Sequence, residues 1–137
     1  MTDLVARLKS VPLFANLSQR QLRKLVDIGW IGTFKDGKVL CAEGRPGDDF
    51  FVILEGQAQA SRNGGAIRTL KVGDYFGEVA LLDNAHRTAT VTAVGPLKCF
   101  MLGRSDFKAA IYEGDIAVKL LVTMARRLRA AEELNSD

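Results

Sequence analysis

Histidine is almost absent from this sequence, because His86 is the only one among 137 residues. Only two cysteines are present, Cys41 and Cys99, and they form no CxxC pair. Zinc and related metal centres draw several of their ligands from these two residue types, so a metal site built on several imidazoles is excluded. We interpret both cysteines as small core residues rather than as a disulfide or a metal site.

Long hydrophobic runs are missing as well. No apolar stretch approaches the roughly 20 residues that a membrane-spanning helix requires, and residues 1–4 lack the basic region before an apolar stretch that begins a secretory signal. We therefore expect a cytoplasmic protein. The net charge is only +3, and we interpret the basic cluster Arg126, Arg127 and Arg129 as a solvated helix face rather than as a nucleic-acid surface.

Hydrophobic residues make up 47% of the chain, which is enough for one core of ordinary size. The length favours a single domain over residues 1–137. Residues 1–29 predict N-terminal helices: Ser18 and Gln21 have the spacing of a capping box, and Gly29 is a suitable helix end.

The C-terminal part, residues 104–134, is predicted to be helical again. Ser105 is suited to cap a short helix around 106–112, and Gly114 separates that helix from a longer one that begins near Asp115. An apolar stripe along the longer helix consists of Ile116, Leu120, Leu121, Met124 and Leu128.

Between these helical parts, residues 30–102 have a different pattern. Short apolar runs alternate with turn signals, which is typical of a β-sandwich or barrel. Asn63-Gly64 predicts a hairpin turn. The predicted strands are 30–34, 39–42, 50–54, 57–62, 67–72, 87–93 and 97–102.

One segment interrupts the strand pattern and contains the residues that are suited to bind a ligand. Good helix formers follow Gly77, and a short helix beginning near Glu78 would present N-terminal amides that bind an anion. Gly77 lets the backbone approach a ligand closely, and the planar fork of Arg87 suits phosphate oxygens. A carboxylate would repel a phosphate. Glu78 would therefore either accept a hydrogen bond from a ribose hydroxyl or form an ion pair with Arg87. The pattern therefore indicates a ligand with one phosphate and an adjacent sugar.

At this point the sequence resembles the cyclic nucleotide-binding domain family. Residues 75–91 contain Phe-Gly-Glu, an apolar pair, a short loop and then Arg-Thr-Ala-Thr-Val, and they are similar to that family's phosphate-binding cassette. The resemblance extends over almost the whole chain. It implies a mainly β fold, an eight-stranded antiparallel β-roll of the jelly-roll type, with N-terminal helices, a short cassette helix and two C-terminal helices. It also implies a sensor module for cAMP or cGMP rather than an enzyme, with no cofactor.

The resemblance implies roles for the phosphate and the sugar. Glu78 would accept a hydrogen bond from the ribose 2′-hydroxyl, and Arg87 would neutralise the cyclic phosphate. The backbone amides that would contact phosphate oxygens belong to Ala80, Thr88 and Ala89. The residues that would border the sugar and the base are Phe76, Gly77 and Val79.

The resemblance also implies a base pocket. Leu70 and Ala58 would wall it, and Arg68 would reach the base edge if its strand is regular. Thr88 occurs in members that prefer cGMP and in channels that respond to cAMP; we favour cAMP narrowly over cGMP.

The final helix would fold over the base as a lid around Arg127 and Leu128. Its movement would signal to a protein partner or an attached effector, and the same helix is a candidate homodimer contact.

Two other functions stay open. The same residues would serve a ligand-free β-roll that acts as a protein-interaction module, with an ion pair between Glu78 and Arg87. Alternatively, the chain is the sensor fragment of a larger transcription regulator, which would carry a helix-turn-helix domain. A cupin-type enzyme and a phosphodiesterase are both disfavoured, because each needs a cluster of metal ligands.

Overall fold

The computed structural model describes residues 2–77, 87, 89–110, 121 and 123–127. The helices are α1 (Thr2–Lys9), a 3₁₀ turn (Pro12–Phe14), α2 (Gln19–Ile28) and α3 (Arg104–Ala110), and residues 121 and 123–127 are helical too. The strands are β1 (Trp30–Phe34), β2 (Val39–Cys41), β3 (Asp49–Arg62), β4 (Gly65–Leu70), β5 (Tyr75–Phe76) and β6 (Thr90–Gly103).

The residues at its two ends explain where α2 begins and where it ends. The Gln21 amide donates to Ser18 Oγ at 3.1 Å, and the Ser18 amide donates to Gln21 Oε1 at 2.8 Å. The predicted capping box is thus confirmed, and it satisfies two amides that the helix leaves unbonded. The helix ends at Ile28, where the Gly29 amide donates to the Leu25 carbonyl.

The strands form one antiparallel sheet with the path β1-β6-β3-β4, in which β2 also pairs with β6 and β5 with β3. The mainly β fold with flanking helices is confirmed. The expected count of eight strands is not, because the described residues form six.

Strands β3 and β6 each span 14 residues, so the prediction of two short strands in each place was wrong. The ladder continues past Gly56 and past Gly95-Pro96 through register shifts between Ile53 and Gln57. A Cβ atom at Gly56 would lie 2.2 Å from the Pro96 carbonyl oxygen. The two strands therefore bend together at this close approach without ending.

Three smaller predictions also need correction. Strand β4 begins at Gly65 and ends at Leu70, two residues before the predicted end, and β5 was not predicted because two residues are too few to show a period. Helix α3 begins at Arg104, so Ser105 lies in its first turn rather than at its cap. Helix boundaries commonly shift by one or two residues in this way.

Each face of the sheet carries a buried cluster. The helix-side cluster packs the sheet against the helices and consists of Leu8, Val11, Leu13, Phe14, Leu17, Leu22, Leu25, Phe50, Val52, Leu54, Tyr75, Phe100, Leu102, Phe107 and Ala110. The roll-interior cluster fills the concave side and consists of Cys41, Phe51, Ile53, Ala58, Ala60, Leu70, Phe76, Val91, Ala93, Leu97, Cys99 and Met101. Successive strand residues point to opposite faces, which explains why residues 50–54 are buried throughout.

Candidate functional site

Arg87 is the one buried charged side chain among the described residues, with 8% of its surface exposed. Its Nη1 donates to the Gly77 carbonyl at 2.7 Å, and its Nη2 donates to the Asp49 carbonyl at 2.9 Å. Two of the five N–H groups of the guanidinium are thus used to orient it. Burial and two fixed hydrogen bonds hold the positive charge in one place.

The backbone of Arg87 is also held. Its amide donates to the Arg45 carbonyl at 2.7 Å, and its carbonyl accepts from the Gly44 amide at 2.9 Å. The loop between β2 and β3 therefore supports the main chain of this residue, while Asp49, the first residue of β3, supports its side chain.

Two glycines leave the space that the guanidinium occupies. A Cβ atom at Gly47 would lie 2.1 Å from Arg87 Nε and 2.2 Å from its Cζ. At Gly77, where φ is +93°, a Cβ atom would lie 2.8 Å from Arg87 Nη1. Any other residue at these positions would displace the side chain or strain the backbone. Sequence reasoning singled out Gly77 but did not assign a site role to Gly47.

The described charges near Arg87 include the Asp49 carboxyl. The described ion pairs are Arg7–Glu55, Lys98–Glu55 and Arg104–Asp48, and none of them includes Arg87. Burial raises the pKa of the Asp49 carboxyl, while the charge of Arg87 opposes that rise and Asp48 adds to it. A buried charge is stabilised by a hydrogen-bonded counterion. Glu78, which the sequence offered as an ion-pair partner of Arg87, lies outside the described residues.

Arg104 supports the same loop from the first residue of α3. Its Nη2 donates to the Gly47 carbonyl and lies 3.4 Å from Asp48 Oδ1. Since the Asp48 side chain is 86% exposed, the ion pair itself contributes little. No local pattern distinguished Arg104 in the sequence, because its partners lie in a different part of the chain.

The predicted base-pocket residues Leu70 and Ala58 are directly opposite each other on β4 and β3, and both are buried. Ala60 is opposite Arg68 in the same regular stretch, since the register shifts only after Ala60. Directly opposite residues share a face of the sheet, so Arg68 lies on the face of Leu70. The strand is thus regular at Arg68, as the prediction for this residue required.

On β6, Ala93 is opposite Ala58, and Val91 is opposite Ala60. This end of the roll interior is therefore lined mainly by small side chains.

The structure brings together only part of the predicted cassette. Phe76 is buried and stacks on Phe51 with ring centroids 4.6 Å apart, Gly77 holds Arg87, and Ala89 is half-buried. The other predicted residues lie outside the described part of the chain: Glu78, Val79, Ala80, Thr88 and Leu128, together with His86.

Arg127, the other predicted lid residue, is half-buried. Its Nη2 donates to the Tyr75 carbonyl at 2.7 Å, and its Cζ lies 5.2 Å from the centroid of the Tyr75 ring. Tyr75 belongs to the helix-side cluster, whereas Phe76 belongs to the roll-interior cluster. The described contact of Arg127 is thus with the outer side of β5, and a role over the base stays a prediction.

The profile of the family described as the cyclic nucleotide-binding domain matches residues 31–113 of this chain. The chain belongs to this family. The match includes Arg87 and Gly77, and it spans the sheet almost from its first residue to its last.

Two curated relatives are similar to this cyclic nucleotide-binding domain. The cAMP-dependent protein kinase regulatory subunit of Eremothecium gossypii is 44% identical over 102 residues, which are 74% of this chain and 22% of that protein. The cGMP-dependent protein kinase, isozyme 1, of Drosophila melanogaster is 37% identical over 117 residues, 80% of this chain and 15% of that protein. The chain thus spans less than a quarter of the length of either relative.

A solved structure of cAMP-bound PfPKA-R has a TM-score of 0.91 and 31% identity, and the match covers 99% of this chain and 48% of that one. The likeness to regulatory subunits agrees with the expectation of a regulatory rather than a catalytic domain.

The described residues also bear on metal binding and on membrane spanning. No group of three or more His, Cys, Asp or Glu side chains among them could hold a metal ion. No helix in that part of the chain is long and apolar enough to cross a membrane.

Proposed function

We propose that this domain is a sensor that binds a cyclic nucleotide, with cAMP as the first candidate. The observation that carries the proposal is the buried Arg87 guanidinium, oriented by the carbonyls of Gly77 and Asp49 and given room by Gly47. A cyclic phosphate carries one negative charge on two exposed oxygens, which suits the guanidinium fork. Similarity to regulatory subunits of cAMP-dependent kinases supports cAMP as that ligand.

The remaining ligand contacts are part of the proposal. Glu78 accepts from the ribose 2′-hydroxyl, and Arg87 receives the phosphate together with backbone amides. Those amides belong to Ala80, Thr88 and Ala89, and the sugar and base are bordered by Phe76, Gly77 and Val79. We propose further that residues 1–137 fold as one domain with these parts.

The base would occupy the end of the roll interior that is lined by small side chains. Ala58, Ala60 and Ala93 each contribute only a methyl group there, and Leu70 supplies one larger apolar wall. A purine is flat and largely apolar on its faces, so its burial here would add to the phosphate contact.

Titration calorimetry of the purified protein with cAMP and cGMP tests the proposal. We expect micromolar or tighter binding to one of them. Arg87→Ala should weaken it about 10- to 150-fold, because a charge-assisted hydrogen bond contributes about 1.5–3 kcal/mol. Arg23→Ala, which removes an exposed charge from α2, should bind as the wild type does. No heat and no thermal stabilisation with either nucleotide would instead favour the ligand-free β-roll.

A second candidate ligand is cGMP, and Arg68 is the observation that favours it. Arg68 shares the inner face of β4 with Leu70 and is half-buried. Arginine only donates hydrogen bonds; guanine presents two acceptors, O6 and N7, whereas adenine presents a donor at the 6-position. A base edge that reaches Arg68 would therefore be guanine in preference to adenine. The cGMP-dependent kinase among the relatives is consistent with this choice.

Arg68→Ala separates the two ligands. If cGMP is the ligand, the variant should lose about 1–3 kcal/mol of cGMP affinity and keep its cAMP affinity. Arg62→Ala is the control, because Arg62 lies at the exposed end of the preceding strand. Equal losses for both nucleotides would remove Arg68 as a determinant of base choice.

We propose a protein partner or attached effector that responds to the C-terminal helix. On that helix Leu121 is 66% exposed, and Ala125, four residues later on the same face, is exposed too. A second copy pairing through this face would form a homodimer, which sedimentation of the wild type and Leu121→Glu would reveal. A cytoplasmic location fits Cys41 and Cys99, which are both buried and are not joined in a disulfide.

A further inference from the structure

We infer that Arg127 is a positioning residue for Arg87, because it fastens the C-terminal helix to the short strand that directly precedes Gly77. The inference rests on the proposed function, since its consequence is a change in nucleotide affinity. It assigns Arg127 a role on the outer side of the sheet, in addition to any contact with a base.

Among the described helix positions 121 and 123–127, Arg127 makes the contact with Tyr75. Arg127 donates to the Tyr75 carbonyl at 2.7 Å and also lies 5.2 Å from the centroid of the Tyr75 ring. Its neighbours Ala125 and Arg126 are exposed, whereas Thr123, Met124 and Arg127 are half-buried. Positions 123, 124 and 127 share one helical face, so this face lies against the domain and Arg127 supplies its polar anchor.

Strand β5 is the element that receives this anchor, and it is only two residues long. It pairs with β3 alone among the described strands, with Phe76 opposite Phe51 and Tyr75 opposite Val52. Just before β5, the Gly73 amide donates to the Ile53 carbonyl and the Ile53 amide donates to the Asp74 carbonyl. The Tyr75 carbonyl, which accepts from Arg127, is thus a further point at which the helix contacts this segment.

Two arginines act on this short segment. Arg127 binds the carbonyl of Tyr75, and Arg87 binds the carbonyl of Gly77, two residues further along the chain. Between them, Phe76 is wedged against Phe51 in the roll interior. A displacement of Tyr75 is therefore transmitted along two peptide units to the carbonyl that orients the guanidinium.

Thermodynamic linkage makes the relation reciprocal. If a docked helix holds Arg87 in its binding orientation, a ligand that selects this orientation must also favour the docked helix. Loss of Arg127 then weakens nucleotide binding, although Arg127 lies on the opposite side of β5 from the roll interior.

The matched variants are Arg127→Met and Arg126→Met. Both remove one positive charge from adjacent helix positions, but only Arg127 contacts Tyr75. Arg127→Lys keeps the charge and one donor, so it should lie between the wild type and Arg127→Met.

The first experiment measures the dissociation constant and dissociation rate of fluorescent cAMP and cGMP. For the nucleotide that the wild type binds, we expect Arg127→Met to raise the dissociation constant about 5- to 50-fold, within the usual range of coupling between sites. Arg126→Met should stay within about twofold of the wild type. A merely structural role would lower the melting temperature equally with and without ligand and leave the affinity unchanged, and that result would overturn the inference.

The second experiment needs no ligand. The ¹⁵N resonance of Arg87 Nε reports the setting of the guanidinium, and Arg127→Met should shift it while Arg126→Met leaves it in place. If the wild type binds neither nucleotide, the proposed function fails, and this resonance alone decides whether Arg127 positions Arg87. An unchanged resonance in Arg127→Met rejects the positioning role.

Discussion

The two faces of the sheet are packed in different ways. The helix-side cluster contains the fully buried rings of Phe14, Phe50, Phe100 and Phe107, and Phe50 stacks on Phe107 with centroids 4.4 Å apart. The roll-interior cluster includes three alanines and adjoins the buried charge of Arg87. One face thus packs large aromatic side chains, while the other combines smaller side chains with a buried charge and is the face on which we propose that the ligand binds.

Both faces belong to the same two long strands, β3 and β6. Phe50 and Val52 point to the helices, and their neighbours Phe51 and Ile53 point into the roll. Because adjacent residues serve opposite faces, a single substitution can test one face while the other is left intact. Phe50→Ala and Ala60→Leu each change one face of β3 in this way.

The largest effect should come from Phe50→Ala. A fully buried phenylalanine that is cut back to alanine costs about 3–5 kcal/mol of unfolding free energy, and Phe50 contacts both Tyr75 and Phe107. Denaturant unfolding measures the loss. Gln59→Ala, at an exposed position of the same strand, should change stability by less than about 0.5 kcal/mol. Equal losses in the two variants would contradict the assignment of stability to the helix-side cluster.

Gly47→Ala should have the next largest effect. Its Cβ atom would lie 2.1 Å from Arg87 Nε, so the guanidinium must move, and overpacking of this kind costs about 1–3 kcal/mol. Nucleotide affinity should fall with it. Gly103→Ala is the matched control, since a Cβ atom there meets nothing within 4 Å. Calorimetry on both proteins gives the comparison, and wild-type binding by Gly47→Ala would exclude a tight fit around Arg87.

Ala60→Leu should affect binding more than stability. The added side chain would fill part of the proposed base space and lower nucleotide affinity about tenfold, equal to about 1.4 kcal/mol, while the unfolding free energy should change by less than about 1 kcal/mol. Gln59→Leu adds the same side chain to the opposite, exposed face and should leave affinity unchanged. A large loss of stability with normal binding would mean that this end of the roll interior is already filled.

The smallest effect should come from Asp49→Asn. Burial raises the pKa of the Asp49 carboxyl above its ordinary value of 3.8, so the folded state holds its proton more firmly than the unfolded state. Ionisation of this carboxyl therefore lowers the free energy of unfolding as the pH rises above about 4. The variant should be slightly more stable than the wild type at pH 7 and lose this advantage below about pH 4. Denaturant unfolding at both pH values gives the answer, and a variant less stable at pH 7 would show that attraction to Arg87 prevails.

Local signals predicted the parts of this fold that local forces determine. The Ser18 capping box involves residues three positions apart, and strand Trp30–Phe34 was predicted with its observed bounds. The course of β3 could not be predicted in the same way. The chain passes Gly56 without a turn because β6 bends beside it, which depends on a partner about 40 residues away in sequence.

The candidate site also divides into residues that local signals predicted and residues that only tertiary contacts reveal. The cassette motif identified Gly77 and Arg87 as site residues, and the structure joins them by a hydrogen bond. Gly47, Arg104 and Tyr75 escaped notice because their contacts with the site or the helix are tertiary. A glycine in a turn and an arginine at the start of a helix have ordinary local explanations, and only the folded chain shows what each one touches.

Both cysteines lie in the roll-interior cluster, and burial raises the pKa of the Cys99 thiol to about 12, with Cys41 adding to the rise. The Cys99 thiol therefore stays protonated, and both thiols are buried, so maleimide dyes should leave them unmodified in the folded protein. A single new cysteine at the exposed position of Arg126 would then take one fluorophore without removal of the native pair. The domain is thereby suited to become a one-colour optical reporter of its own ligand.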